Sequence, residues 1–263
     1  MRVLCIGAHP DDCELEFGGT AAKMAARGDA VKFVSVTNGE AGHHLYPGSE
    51  LVARRRGEAE EAARRLGIAA TEVLCNRDGQ LEPTLAARNE VIRRIRQWHA
   101  DVVITHRPWD YHPDHRYTSQ LVQDSSYLVN VPHLCPDTVA LRRSPVFFCL
   151  EDAFRVPVPF RADIAVDVDE VWERKLDALD AHASQVYEWL PWVAGQAVPE
   201  TADERRKWLD AVWTREPSVD TRSALVRRYR ADLAARVRHA EAFELSQYGR
   251  QVSGEELEEI FPR

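Results

Sequence analysis

A chain of 263 residues, 44% hydrophobic and 29% charged, has the mixture of a folded globular protein and is long enough for one large domain or two small ones. Its 34 basic and 42 acidic residues leave a formal charge of −8, which argues against a general nucleic-acid or anionic-membrane binder. The cysteine count of five is odd, no pair has Cys-x-x-Cys spacing, and reduced thiols rather than a disulfide framework are expected.

In chain order, residues 2–8 read as an apolar β-strand that stops at His9-Pro10-Asp11-Asp12-Cys13-Glu14. Pro10 has no amide hydrogen for a sheet ladder, so His9, Asp11, Asp12 and Glu14 are expected on a loop past the strand's carboxyl end. Gly18-Gly19-Thr20 reads as the opening of a helix over 20–27, which Gly28 stops. Further strands are expected at 31–37, 72–76 and 101–106, with helices at 51–66 and 85–98 between them. On the first of these helices, Ala59, Ala62, Ala63 and Leu66 form one apolar stripe.

Such alternation predicts an α/β fold with a mainly parallel sheet and right-handed crossovers. With the common strand order 3-2-1-4, strands one and four are neighbours and a crevice opens at their carboxyl ends. Strand four is followed by Trp109-Asp110-Tyr111-His112-Pro113-Asp114-His115, so a second His/Asp cluster is expected at the same crevice. Beyond it come a helix to about 129, an irregular stretch at 130–145, strands at 146–150 and 164–168, and a long helix over 170–189 ended by Pro191. A short helix at 203–213, an amphipathic helix at 224–245 and a polar tail at 249–263 complete the reading. Without repeats or a clear linker, one domain spanning 1–263 is expected, with a core over 1–189 and a helical extension over 190–263. Cys5, Cys75 and Cys149 are expected in the core, and Cys13 as a small filler. No apolar run reaches the roughly 18 residues of a spanning helix and no export signal opens the chain, so a cytoplasmic protein without a membrane partner is expected.

His9, Asp12 and His115 offer two imidazoles and a carboxylate, a common catalytic zinc shell that leaves a position for water. Hydrolysis also needs a base and an oxyanion stabiliser. Asp11, beside a ligand but free of the metal, suits the base. His112 suits either the stabiliser or the acid for a leaving amine, with Asp114 orienting it and keeping it protonated. Helix capping would explain the first motif taken alone; the second cluster opposite it favours a metal site. His43, His44, His99, His106, His133, His182 and His239 are assigned surface or structural places, with His106, at the end of strand four, and His182 the two to watch.

Together, Ala8-His9-Pro10-Asp11-Asp12-Cys13-Glu14 with Gly18-Gly19, and His112-Pro113-Asp114-His115, resemble the LmbE-like superfamily, which includes the GlcNAc-phosphatidylinositol de-N-acetylases (PIG-L) and bacterial thiol-cofactor deacetylases. Weaker similarities run through Thr37-Asn38-Gly39-Glu40-Ala41-Gly42, Arg55, Asp78-Gly79 and Lys175 to His182-Ala183-Ser184-Gln185. The resemblance covers about residues 2–185 and implies a Rossmann-like three-layer α/β/α fold and metal-dependent removal of an N-acetyl group from an N-acetylglucosamine-like small molecule; the C-terminal helical appendage is read from the sequence pattern alone. It implies His9, Asp12 and His115 as ligands, Asp11 as base and His112 as oxyanion stabiliser with Asp114 behind it. Arg55 resembles a substrate-contacting arginine, against the alternative of an exposed helix residue. Asp78 either meets a sugar hydroxyl or makes a turn with Gly79. Tyr111 stands near a mobile tyrosine of some relatives, or shapes the pocket with Trp109 and Asp110. Glu14 is expected to brace the loop or a ligand. Zinc is the default ion; Fe2+, Mn2+ and Co2+ also suit such a shell. A homo-oligomer stays open. Two rival readings remain: an amidase acting on a bulkier amide, such as a thiol conjugate or antibiotic side chain, and a non-catalytic Rossmann-like metal or nucleotide binder. The missing Gly-x-Gly-x-x-Gly fingerprint counts against the latter.

Overall fold

A computed structural model describes residues 1–46, 48–214 and 216–263. Seven strands form one mixed sheet in the order β3-β2-β1-β4-β5-β7-β6. The strands are β1 (Arg2–Gly7), β2 (Ala30–Thr37), β3 (Ala70–Asn76), β4 (Val102–Thr105), β5 (Val146–Leu150), β6 (Ile164–Asp167) and β7 (Ala240–Gly249). The first five are parallel, whereas β7 runs antiparallel to both β5 and β6. The helices are α1 (Asp12–Arg27), α2 (Gly48–Leu66), α3 (Leu85–Trp98), α4 (Pro113–Leu128), α5 (Trp172–Ala181), α6 (Leu190–Ala194), α7 (Ala202–Trp213), α8 (Val219–Arg228), α9 (Ala231–Ala234) and α10 (Gly254–Ile260). A short 3-10 turn (Asp169–Val171) precedes α5, and a π-helical turn (Ser184–Trp189) joins it to α6.

The period-two geometry of β1 builds the three layers. Val3 and Cys5 enter one core with Phe17 and Ala21 of α1, Leu66 of α2 and Leu176 of α5. Leu4 and Ile6 enter the other, with Val91 and Ile95 of α3 and Leu121 of α4. A smaller cluster packs Ala224 and Leu225 of α8 on Ala165 and Ala242.

Four expectations change. First, α1 starts at Asp12, eight residues before the expected Thr20, so Asp12 and Glu14 lie in its first turn rather than on a loop. The glycines that suggested a helix start are a packing device inside it: a Cβ on Gly19 would come within 2.8 Å of Val168 Cβ. Second, the helix expected over 224–245 is α8, α9 and then β7. Ala240–Gly249 carries strong helix formers, but its insertion between β5 and β6 buries Glu241, Ala242 and Phe243 on both faces and overrides local propensity. Third, Pro191 does not end the helical segment but sits in the first turn of α6, where its missing amide hydrogen costs nothing; the expected polar tail contains α10 and a buried Phe261. Fourth, Cys75 is exposed because β3 is an edge strand, and Cys149 is partly exposed, whereas Cys5 and Cys13 are buried in the core.

Candidate active site

The two motif segments meet where β1 and β4 end side by side, the position at which the strand order reverses. Close approach is built in from the backbone up. A Cβ on Gly7 would lie 2.8 Å from Asp12 Cβ, so only glycine lets α1 turn back over the strand end. On the other side, His112 caps α4 and Pro113 occupies its first turn, which presents His115 one turn further on.

His9 Nδ1 lies 3.1 Å from His115 Nε2 and 3.5 Å from Asp12 Oδ2, and His115 Nε2 lies 3.4 Å from Asp12 Oδ1. Tetrahedral bonds of 2.0–2.1 Å require ligand-to-ligand edges of roughly 3.3 Å. Edges of this length leave a place for a divalent ion between His9 Nδ1, His115 Nε2 and the Asp12 carboxylate, with the two edges to Asp12 ending on different oxygens, Oδ2 towards His9 and Oδ1 towards His115. Among the described residues, three overlapping groups bring their ligand atoms close enough to hold a cation: His9, His112 and His115; Asp12, His106 and His115; and His9, Asp78 and Asp114. Hydrogen bonding separates their roles. Asp12 Oδ2 accepts from the backbone amides of Ala8 at 2.8 Å and His9 at 2.7 Å and lies 3.1 Å from His106 Nε2, which leaves Oδ1 facing His115. Asp78 Oδ1 lies 3.1 Å from His9 Nε2, so that carboxylate holds the ring from behind and turns Nδ1 to the centre. Asp110 Oδ2 does the same for His115 through Nδ1, also at 3.1 Å, while its Oδ1 accepts from the His112 amide at 2.9 Å. Both imidazoles thus have the carboxylate–histidine support common to metal ligands.

The charges agree. Burial opposes a positive charge on His115, but Asp12 and Asp110 outweigh it and push its pKa up to about 10. Burial likewise opposes a charge on His9, and Asp114, Asp12 and Asp78 prevail and raise it. In protein alone, these carboxylates demand cations, and a divalent ion meets the same demand. His112 behaves oppositely: burial, then His9 and His115, push its pKa down. Its Nδ1 accepts from the Asp114 amide at 3.2 Å, which places the proton of the neutral ring on Nε2. The Asp114 carboxylate does not orient that ring as expected from sequence; Oδ2 accepts from the Gly79 amide at 2.7 Å and faces His9 Nε2 at 3.5 Å.

Asp11 Oδ1 accepts from Arg55 Nη2 at 2.9 Å, with both side chains buried. Arg55 is therefore not an exposed helix arginine: it is 2% exposed, lines the same cleft and holds the Asp11 carboxylate. Asp78, expected at a sugar hydroxyl or a turn, is committed to His9 and to the Ala41 amide. Tyr111 is 71% exposed at the rim. Glu14 is buried, with Oε1 3.5 Å from Nε2 of the fully buried His182, behind the motif helix. Sequence reasoning missed Asp110 as the support of His115 and His106 as the group behind Asp12. Its one available signal for them was position, since both flank the second motif. His9, Asp11, Asp12, Arg55, Asp78, His106, Asp110, Tyr111, His112 and His115 surround a cleft of about 480 Å³, also walled by Phe154, Gln185 and Trp189.

The PIG-L family, described as GlcNAc-PI de-N-acetylase, matches residues 4–126. The diacetylchitobiose deacetylase of Thermococcus kodakarensis is 31% identical over 202 residues, covering 73% of this chain and 73% of that protein. The 1D-myo-inositol 2-acetamido-2-deoxy-alpha-D-glucopyranoside deacetylase of Rhodococcus opacus is 29% identical over 238 residues, covering 70% of this chain and 82% of that protein. Among solved structures, the N,N'-diacetylchitobiose deacetylase of Pyrococcus horikoshii superposes with a TM-score of 0.70 at 27% identity, over 93% of this chain and 83% of its own. With this similarity carried across the sheet and both motif segments, the chain belongs to the PIG-L family of de-N-acetylases.

Proposed function

We propose that this protein is a metal-dependent hydrolase that removes the acetyl group from an N-acetylglucosamine-like amino sugar. One observation carries the reading most: the His9 and His115 nitrogens and the Asp12 carboxylate lie 3.1–3.5 Å apart, beside Asp11, a carboxylate held by Arg55, and a neutral His112 with its proton on Nε2. A binding protein needs neither of the last two. The relatives' activities on acetylated amino sugars support the substrate class.

His9, Asp12 and His115 would hold the ion, for which zinc is our choice. When bound, such an ion polarises the amide carbonyl and makes water acidic enough to attack near neutral pH. The chain's own groups do the rest. Arg55 holds one oxygen of Asp11, and the carboxylate takes the proton of the attacking water. His112 Nε2–H donates to the oxygen that becomes negative as the carbonyl carbon turns tetrahedral. The amine then leaves with the proton that Asp11 collected, and acetate is the second product. Asp78 and Asp110 do not react; they keep both ligand rings in place.

No helix among the described residues is long and apolar enough to cross a membrane. The reading includes a cytoplasmic location and a small-molecule substrate, and treats 1–263 as one unit because β7 completes the sheet that carries the site. Acetate release from N-acetylglucosamine glycosides, beside carboxylate release from N-butanoyl and N-phenylacetyl glucosamine, tests it. Preference for the acetyl compounds is expected; faster cleavage of the bulky amides would replace this reading with a broader amidase.

A further inference from the structure

The segment His182-Ala183-Ser184-Gln185 has no part in the chemistry described above, yet it ends in the cleft. Its last two residues open the π-helical turn Ser184–Trp189, a rare geometry that recurs at functional sites. Gln185 lines the cleft with Gly42, Arg55 and Asp11, although only 2% of the residue is exposed. What fixes it lies behind. The fully buried Ser184 is clamped by Glu58, whose Oε1 accepts from its amide at 2.9 Å and whose Oε2 accepts from its hydroxyl at 2.6 Å.

That clamp sets the direction of the Gln185 carboxamide. The Ser184 hydroxyl gives its one proton to Glu58, so towards Gln185 it can only accept, and the Gly42 carbonyl can only accept as well. Gln185 Nε2 donates to both, at 3.0 and 3.1 Å. A flipped amide would set its oxygen against two acceptors, so the nitrogen faces the protein and Oε1 faces away from these partners. Oε1 receives no hydrogen bond from the described residues and stays open to the cleft. A Cβ on Gly42 would lie 3.5 Å from Oε1 and 2.7 Å from Arg55 Nη1, so this oxygen and the guanidinium that holds Asp11 are neighbours across Gly42.

Resting on the deacetylase reading, we propose that Gln185 is a further catalytic residue, whose Oε1 accepts the N–H of the scissile acetamide. Asp11 returns the water's proton to the leaving nitrogen, which therefore lies on the Asp11 side of the cleft, where Gln185 is a fixed and neutral acceptor. As the carbonyl carbon turns tetrahedral, the nitrogen turns pyramidal and gains a lone pair. With its N–H held by Gln185, that lone pair is aimed at Asp11. It takes the Asp11 proton, the C–N bond breaks with its electron pair going to nitrogen, and the carbonyl re-forms. A neutral amine and acetic acid leave, the acid ionises to acetate, and the original N–H never moves. A carboxylate in this place would compete with the nitrogen for the proton; a carboxamide oxygen does not.

The test compares acetate release by the zinc-loaded enzyme from two methyl glycosides, that of N-acetylglucosamine and that of 2-O-acetylglucose, an ester of the same shape with no N–H. Gln185→Met keeps the side-chain length and removes the carbonyl acceptor. It is expected to lower kcat on the amide about tenfold, the scale of one neutral hydrogen bond, and to leave kcat on the ester within about twofold of the parent. Gln185→Asn, which withdraws the carboxamide by one methylene, is expected to lower the same amide-to-ester ratio and serves if Gln185→Met does not fold. A structural role, or a contact to a sugar hydroxyl that both compounds carry, would lower both rates alike. An amide-to-ester ratio within twofold of the parent would therefore overturn the assignment and leave the deacetylase intact. If no form cleaves the ester, a tenfold loss on the amide at parent-like zinc content and unfolding temperature supports the assignment, and parent-like turnover overturns it. No acetate from the amide with the zinc-loaded parent would instead overturn the deacetylase reading, and the role of Gln185 with it.

Discussion

Removing the carboxylate of Asp110 should weaken metal binding without removing any ligand. Asp110 Oδ2 faces His115 Nδ1 at 3.1 Å, which calls for the proton on Nδ1 and leaves the Nε2 lone pair free at the ion site. In Asp110→Asn, the amide has two choices. With its NH2 toward His115, it requires an unprotonated Nδ1 and therefore a proton on Nε2, the nitrogen that must bind the ion. With its oxygen toward His115, it turns its NH2 toward the His112 amide, which now donates to Oδ1 at 2.9 Å. Either arrangement loses one of the two contacts, and the negative charge is lost in both. Support of this kind is worth about 10–100-fold in metal affinity, or about 1.4–2.7 kcal/mol. Competition for zinc against a chelator of known affinity would measure it. Asp137→Asn, at an exposed carboxylate paired with Arg93, serves as the control and should change nothing. Zinc affinity for Asp110→Asn within twofold of the parent would refute the assignment of Asp110 as the support of His115.

Asp11→Ala should retain its metal, measured by elemental analysis, and lose about 10²–10⁴-fold in kcat, the usual worth of a general base; parent-like turnover would remove Asp11 from that role. Gly7→Ala should do the reverse and reduce metal content, because its Cβ would fall 2.8 Å from that of Asp12; full zinc occupancy would show that the strand end can relax. Metal uptake should release protons. His115 titrates at about 10 in the protein alone because Asp12 and Asp110 outweigh its burial, so near pH 7 an incoming ion displaces a proton from it. Zinc affinity should therefore fall as pH falls, and calorimetry in buffers of differing ionisation enthalpy should count the released protons; pH-independent affinity between 6 and 8 would contradict this.

The residues to which the proposed chemistry is assigned stand out in sequence because each motif packs several of them into a few residues beside a strand end. His9, Asp11 and Asp12 come from one stretch, His112 and His115 from another, and strand order alone brings the two together. The supports were harder to read. Asp78 lies in sequence far from His9, and a lone Asp-Gly looks like any turn; only the pairing of β2 and β3 beside β1 carries it under the ring. Arg55 sits between two other arginines in a helix, and its burial depends on the loop after β2, where its Nη1 donates to the Gly39 carbonyl at 3.2 Å. The last strand was hidden by composition. Ala240, Glu241, Ala242 and Glu244 favour a helix locally, but the gap between β5 and β6 offers ladder partners along the segment, and Glu241 finds Lys175 at 2.7 Å together with the amides of Gly19 and Thr20.

The most direct test of the central claim is acetate release from an N-acetylglucosamine glycoside by metal-stripped protein and by the same protein reloaded with one equivalent of Zn2+, Fe2+, Mn2+ or Co2+. The account predicts no release from the stripped protein and recovery on reloading with at least one of these ions, zinc first among them. Equal release with and without metal would contradict it, as would no release from protein shown to carry one ion per chain.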